Sequence, residues 1–130
     1  MPLTSVIPVV AGVATLVALP TIAALDLTRW RGAWVVPAAA SLLFLALSAA
    51  AVAAEGPLGF WSVHTQSLWG NQVWVDLLLA ASVGFTALAP RARALRMRPM
   101  RWCVLVLCTG SIGLLAMAAR VLFLRDHQAR

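Results

Sequence analysis

Four long apolar stretches, separated by short connections that carry most of the charge, dominate the chain. They cover residues 4–25, 33–54, 71–89 and 101–124. A helix needs about 20 apolar residues to cross a hydrocarbon core of about 30 Å. We therefore predict an all-α fold in which residues 1–130 form a single integral membrane domain, a bundle of four transmembrane helices.

The connection between the second and third stretches is rich in aromatic residues and poor in charge. Phe60, Trp61, Leu68 and Trp69 follow a helical spacing that brings them close to one face. Tryptophan rings favour the level of the lipid headgroups. This predicts a short interfacial or partly re-entrant helix, with Phe60, Trp61, Trp69 and Trp74 as interfacial aromatics. A lid over a ligand site is the alternative interpretation of the same residues.

Composition supports a membrane protein and excludes several functions. The chain is 62% hydrophobic and 11% charged, with a mean hydropathy of +0.92, whereas soluble domains are about 45–50% apolar. Its net charge of +6 comes from arginine, because the sequence contains no lysine. Without a lysine, retinal or pyridoxal Schiff bases are excluded. The basic residues adjoin membrane spans and form no folded basic face, so nucleic acid is not an expected partner.

The arginines predict the orientation in the membrane. A cluster of five, Arg91, Arg93, Arg96, Arg98 and Arg101, lies between the third and fourth stretches, and Arg29 and Arg31 follow the first. The positive-inside rule places these connections in the cytoplasm and both termini outside, in a bacterial inner membrane. Arg120, Arg125 and Arg130 then lie outside, against the rule. We also expect Pro90 and Pro99 to end the helices on either side of the cluster, whose arginines could contact anionic lipid.

Small residues predict close helix packing. The second stretch is dominated by alanine and also carries Ser41 and Ser48, and the fourth carries Gly110, Gly113 and Ala119. Membrane helices use such residues to approach one another. We expect these faces to contact other helices of the chain, copies of the protein or a partner protein. Cys103 and Cys108 match neither a redox nor a zinc spacing and are expected to act as small packing residues.

Asp76 is an acid near the start of the third apolar stretch, and an ionisable group in lipid is by default a functional-site hypothesis. The fourth stretch is predicted to start inside near Arg101 and to climb about 28 Å by Arg120, at 1.5 Å per residue, which puts Arg120 at a depth comparable to that of Asp76. Six polar residues are then expected to converge near the outer face: Glu55, His64, Asn71, Gln72, Asp76 and Arg120.

Two interpretations of this polar cluster remain open. In the structural one, Asp76 and Arg120 form an ion pair that joins the third and fourth helices. In the functional one, Asp76 or Glu55 handles a proton together with His64, and Arg120 orients a substrate. Neither interpretation requires a metal or cofactor, and the histidines do not support bis-histidine haem ligation.

The second half of the chain resembles a family of small uncharacterised bacterial multi-pass membrane proteins. The matching features, in order, are Asn71, Asp76-Leu77-Leu78, the arginine-rich segment 91–97, and Phe123-Leu124-Arg125-Asp126. The resemblance spans about residues 60–127. It implies a fold of three or four helices and carries over no activity.

Function is therefore narrowed to two classes. The small size and the lack of a catalytic constellation favour a non-catalytic accessory or scaffold subunit of a larger or homo-oligomeric membrane complex. The alternative is a membrane enzyme or carrier that handles an apolar or isoprenoid-like molecule, or a pigment, through the outer polar cluster. A cavity beside that cluster would favour the second class.

Overall fold

The structure, a computed structural model, describes residues 3–24 and 30–128. Within these residues every regular element is a helix, which confirms the all-α prediction. The helices are α1 (Leu3–Ala24), α2 (Val35–Glu55), α3 (Gly59–Thr65), α4 (Leu68–Ala94), α5 (Pro99–Thr109) and α6 (Ser111–Gln128). The chain divides into two units, Met1–Arg31 and Gly32–Arg130, and each is described by itself.

The first unit contains α1, which continues through Pro8 and Pro20. Two of its polar side chains bond within the helix: the Thr15 hydroxyl donates to the Ala11 carbonyl at 2.8 Å, and the Thr21 hydroxyl to the Val17 carbonyl at 2.7 Å. A hydroxyl bonded to its own helix is compatible with an apolar environment, because it leaves no donor without an acceptor.

Three helices are long and apolar enough to cross a membrane. Their spans are Ser5–Ile22 in α1, Val35–Glu55 in α2 and Leu68–Ala94 in α4. They correspond to the first three predicted stretches and indicate a membrane protein. The fourth stretch is different, because it is divided between the short apolar helix α5 and the helix α6.

The second unit shows that residues 101–124 do not form one straight span. The chain reverses at Gly110, whose φ of +59° combined with ψ of −124° is favourable only for glycine. The reversal is evident from contacts to α2: the Ser41 hydroxyl donates to the Ile112 carbonyl at 3.0 Å, near the start of α6. Near its end, Phe123 packs edge-on against Trp34 with ring centroids 5.3 Å apart. Helix α6 therefore runs antiparallel to α2 and returns to the end where α2 begins.

Contacts with α4 give the same direction for α6. Gly84 lies against Leu114, and eight residues further along α4, Ala92 packs with Met117 and Val121. These three residues form the buried core, and five partly buried side chains surround them: Phe85, Leu88, Leu95, Met97 and Trp102. Helix α6 thus contacts α2, α4 and α5 and is the centre of the unit.

The carboxyl-terminal end of α6 is fixed beside the start of α2. The Gly32 amide donates to Asp126 Oδ2 at 2.8 Å, and Arg125 Nη2 lies 3.0 Å from Asp126 Oδ1. The sequence predicted that the carboxyl terminus emerges at the end opposite the arginine-rich connection. The structure places the last turns of α6 at the same end as that connection, since Val121 packs against Ala92. Arg130 lies outside the described residues.

The sequence also predicted that Pro90 would end the third helix, and this is wrong, because α4 continues to Ala94. The helix ends instead in a Schellman motif. The Met97 amide donates to the Ala92 carbonyl at 2.9 Å and the Arg96 amide to the Arg93 carbonyl at 3.0 Å. Arg96 occupies the left-handed position, with φ +56°. Pro99 then begins α5, as expected for proline in a first helical turn.

Gly113 allows the tight reversal between α5 and α6. A Cβ atom at this position would lie 2.8 Å from Thr109 Oγ1 and 2.9 Å from the carbonyl carbon and oxygen of Leu105. The Leu105 carbonyl already accepts the Thr109 hydroxyl at 2.7 Å. The backbone of α5 cannot move aside without breaking the hairpin, so the approach of the two helices requires a glycine.

We expect Gly113→Ala to destabilise the protein by about 1–3 kcal/mol, the usual cost of overpacking. Thermal unfolding in detergent would measure this as a lower apparent Tm. Gly84→Ala is the matched control, because its Cβ would meet only the flexible end of the Leu114 side chain. A Cβ atom at Gly12 would meet nothing within 4 Å, so Gly12→Ala measures the intrinsic helix preference of alanine. Equal Tm values for Gly113→Ala and Gly12→Ala would contradict the hairpin packing.

We also expect Arg98 and Gln128 to face the same side of the membrane, and Gln66 the other side. Single cysteines at these exposed positions, in a background with Cys103→Ala and Cys108→Ala, can be labelled from one side of sealed vesicles with an impermeant maleimide. Co-labelling of Arg98→Cys and Gln128→Cys is the expected outcome of the α5–α6 hairpin. Labelling of Gln128→Cys together with Gln66→Cys would instead support one straight span.

Candidate functional site

A cavity of about 900 Å³ lies in the second unit between α2 and α4. It exists because the α5–α6 hairpin is shorter than its neighbours. Ser41, which bonds the start of α6, lies about 9 Å along α2 from Val35, so about 21 Å of α2 extends beyond it. The space above the hairpin, between α2 and α4, has no helix of the second unit to fill it. We call this space the α2–α4 cavity.

The floor, walls and roof of the α2–α4 cavity come from different elements. Residues 106–112, at the α5–α6 reversal, form the floor, and α3 forms the roof. The wall from α4 follows a helical spacing along one face: Trp74, Leu77, Leu78, Ala81, Ser82 and Phe85. The opposite wall comes from α2: Phe44, Leu45, Ser48, Ala49, Ala51 and Val52. The lining is therefore mainly aliphatic and aromatic.

Three rings meet at the roof. The His64 ring lies 5.3 Å from Trp74 and 6.5 Å from Phe60 between centroids, and Phe60 lies 5.8 Å from Trp74. His64 Nδ1 is 3.2 Å from the Gly70 carbonyl oxygen. Because a carbonyl oxygen only accepts, the hydrogen of this bond belongs to Nδ1. In the neutral ring, Nε2 then carries the lone pair and can accept a hydrogen bond or a proton.

Close contact between α3 and α4 fixes this roof. A Cβ atom at Gly70 would lie 2.6 Å from the Val63 carbonyl oxygen and 2.9 Å from that of His64. The Ser67 hydroxyl caps α4 by accepting the Gly70 amide at 3.0 Å. Gly70 therefore brings the first turn of α4 against the last turn of α3, which is where His64 and Trp74 meet.

Glu55 is the acid of the α2–α4 cavity. It is the last residue of α2, and its Oε2 would lie 3.5 Å from a Cβ atom built on Gly59 in the first turn of α3. The chain turns directly after it at Gly56, with φ +82°, and the Gly56 amide caps α2 by donating to the Val52 carbonyl. This sharp turn carries α3 over the cavity and leaves the carboxylate at the rim of the roof.

The structure brings together two of the six residues expected to form the outer polar cluster: Glu55 and His64 both line the cavity. Asn71 and Gln72 lie exposed at the start of α4, where the Asn71 amide nitrogen donates to the Ser67 carbonyl at 3.0 Å. Asp76 is also exposed and does not line the cavity. It shares a face of α4 with the exposed apolar residues Leu79 and Val83.

Arg120 lies at the other end of the unit from Asp76. Using the contact between Gly84 and Leu114 as a common level, the two residues are separated by about 21 Å along the helices. Arg120 instead lies over the Phe123 ring, 5.6 Å from its centroid, in a small groove with Trp34 and Ala38. Within the described residues no ion pair joins it to Asp76. The expected convergence assumed a straight fourth helix, and the reversal at Gly110 removes it.

The remaining predicted residues lie outside the cavity or contribute to its roof. Phe60 and Trp74 line it, whereas Trp61 and Trp69 do not. The arginines of the connecting cluster, Arg91, Arg93, Arg96, Arg98 and Arg101, are all exposed. Their contact with anionic lipid stays a prediction.

Sequence reasoning missed several lining residues. Phe44 and Phe85 were treated as ordinary span residues, and Cys103 and Cys108, expected to be packing residues, both border the cavity. The spacing of Trp74, Leu77, Ala81 and Phe85 marks one face of a helix, but lipid and a cavity select the same apolar residues. Only the short α5–α6 hairpin shows that this face of α4 lines a cavity and does not face lipid.

Comparison of the chain with protein-family models, with curated proteins and with solved structures gives no match. The resemblance over residues 60–127 therefore stays a prediction. The function of the protein must therefore be inferred from the chemistry of the cavity. The cavity is an apolar volume with a carboxylate and an imidazole at its roof. No group of three or more metal-binding side chains occurs in the part of the chain that the structure describes.

We expect Gly70→Ala to separate α3 from α4 and to weaken the roof, at a cost of about 1–3 kcal/mol. The apparent Tm should fall, and the near-ultraviolet circular dichroism of the ring cluster should decrease. Gly59→Ala is the control within α3, since its Cβ would meet the Glu55 side chain at 3.0 Å and no backbone atom. A Gly70→Ala protein with unchanged dichroism would show that the roof does not depend on this contact.

Proposed function

We propose that this membrane protein binds an apolar, membrane-soluble molecule in the α2–α4 cavity, as a carrier or as an enzyme that acts on it. The observation that carries the proposal is the cavity itself, about 900 Å³ with aromatic and aliphatic walls and a few polar groups at one end. Small-molecule sites are concave, mostly apolar and of about 300–1,000 Å³.

The position of the cavity supports a ligand taken from the bilayer. Its two long walls, α2 and α4, are both helices of membrane-spanning length and apolarity. A molecule dissolved in lipid would keep its apolar part in an apolar environment throughout entry. Little more than its polar end would then have to lose its solvent. Glu55 and His64 are available to contact that polar end at the roof.

The roof also supplies groups that can handle a proton. His64 donates through Nδ1 to the Gly70 carbonyl, which leaves Nε2 as the acceptor of a neutral ring. Glu55 lines the same cavity. A carboxylate and an imidazole at one end of an apolar site can relay a proton to or from a bound hydroxyl or amine. Asp76 and Arg120 have no part in this version of the proposal, because neither lines the cavity.

An accessory-subunit function is the second candidate, and Asp76 is the observation that favours it. The side chain is exposed on an apolar face of α4, and no partner for it is seen among the described residues. A charge facing lipid costs several kcal/mol, so a polar group of a second copy or another subunit would stabilise it. Part of the small-residue surface is used internally, however, since Gly113 packs against α5 and Ser41 bonds α6.

We also propose a bacterial inner membrane in which the arginine-rich connection faces the cytoplasm. In this orientation the hairpin brings Arg120 and Arg125 to the cytoplasmic end as well, because the last turns of α6 lie beside the start of α2. These arginines then agree with the positive-inside rule. The topology with a straight fourth span placed them outside, against the rule. The carboxyl-terminal end of α6 is consequently proposed to lie inside.

Blocking the α2–α4 cavity tests the proposed function. Ala49 lines the cavity, and its neighbour Ala50 on α2 does not. We expect Ala49→Phe to weaken binding of a neutral probe, pyrene-labelled dodecanol, by about tenfold, equal to about 1.4 kcal/mol. Ala50→Phe should bind as the wild type does. Saturable energy transfer from tryptophan to pyrene in lipid nanodiscs measures the affinity.

Saturable binding that is insensitive to Ala49→Phe would place the probe elsewhere on the protein. Absence of saturable binding would contradict the proposed function. In that case the accessory-subunit candidate gains if Asp76→Asn changes the oligomeric state measured by native mass spectrometry.

A further inference from the structure

The lining of the α2–α4 cavity, in the part of the chain that the structure describes, differs in charge from the protein as a whole, which is strongly basic. Arginine accounts for all ten basic Lys and Arg residues of the sequence, yet none of the arginines that the structure describes lines the cavity. Among the described residues, Glu55 is the carboxylate that lines it. The roof therefore has the opposite charge from the rest of the molecule.

Backbone dipoles change this charge balance little. The carboxyl-terminal end of α2, at Glu55, lies at the roof, and a helix carries partial negative charge at this end. At the floor, the end of α5 and the start of α6 meet, so opposite partial charges adjoin and largely cancel. At the roof the end of α2 likewise adjoins the first turn of α3, so the negative charge there is that of the Glu55 carboxylate.

Aromatic faces lie at the same end as the carboxylate. Phe60, His64 and Trp74 form the ring cluster of the roof, with centroids between 5.3 and 6.5 Å apart. Aromatic faces attract cations through the ring quadrupole, and tryptophan does so best. A carboxylate combined with aromatic rings is a recognition chemistry for organic ammonium groups, whereas an anionic head would be repelled by Glu55 and would find no arginine.

We propose that the α2–α4 cavity selects hydrophobic cations, that is, molecules with an ammonium head and an apolar tail. The head lies at the roof beside Glu55 and the ring cluster, and the tail lies between α2 and α4. From Glu55 down to Phe44 the wall of α2 is about 16 Å long. This inference rests on the proposed function, since it names the class of molecule that the same cavity takes.

Three competitors with the same twelve-carbon tail test the selectivity. Dodecyltrimethylammonium, dodecanol and dodecanoate differ in head charge, and each is titrated against bound pyrene-labelled dodecanol in nanodiscs of neutral lipid, below its micelle concentration. We expect the ammonium compound to displace the probe at about tenfold lower concentration than dodecanol. Dodecanoate should be the weakest competitor.

Two variants at the same end of the unit identify the charge responsible. Glu55→Gln removes the carboxylate of the roof and should bring the ammonium compound to the affinity of dodecanol. Asp76→Asn is the matched control, because it removes an equal charge from a residue that does not line the cavity. It should leave the ranking unchanged. The ranking in each variant is taken relative to that variant's own affinity for the probe, and circular dichroism and thermal unfolding show whether both variants remain folded.

The outcomes separate the two proposals. If the probe binds but all three competitors displace it equally, or dodecanoate displaces it best, the cavity is a lipophile site without cation selectivity and this inference is overturned. If the ammonium preference survives Glu55→Gln but is lost in Asp76→Asn, the recognition site is on the outer face of α4 and the inference is likewise overturned. If the probe shows no saturable binding, the proposed function itself fails.

Discussion

The close approach of α5 and α6 is the constraint on which the second unit depends. Gly110 supplies the positive φ that reverses the chain, and Gly113 lets α6 pass against the Leu105 carbonyl. The reversed helix then becomes the central element, with the Ser41 hydroxyl bound to one end of it and Asp126 at its other end held by the Gly32 amide. Each contact satisfies a backbone or carboxylate group that would be costly to leave unpaired in an apolar environment.

The same reversal produces the cavity. A straight fourth helix would fill the space between the upper parts of α2 and α4, as it does in an ordinary four-helix bundle. A hairpin that stops partway leaves that space open, with the ends of two helices at its floor and α3 above. The cavity is therefore a consequence of chain direction, and Glu55 and His64 only supply polar groups at its roof.

Part of the candidate site could be predicted from the sequence. Glu55, His64, Phe60 and Trp74 were expected at one membrane face, because each adjoins the connection between the second and third apolar stretches, and all four line the cavity. Asp76 was singled out as an acid in an apolar run, but its helical phase puts it on a different face of α4 from Trp74 and Leu77. The position of Arg120 was predicted wrongly, because the fourth stretch was assumed to be one straight helix. After the reversal between α5 and α6 the chain runs back toward the level of Arg101, so Arg120 does not reach the depth of Asp76.

The sequence by itself determined the apolar helices, their lengths and the charge of their connections, because these follow from hydrophobicity and from backbone hydrogen bonding in lipid. It did not determine whether residues 101–124 cross the membrane once or turn back. A glycine in an apolar helix serves close packing or a reversal equally well, and only the contacts of Ile112 with Ser41 and of Val121 with Ala92 decide between them. Tertiary structure alone therefore decided which polar groups share a cavity.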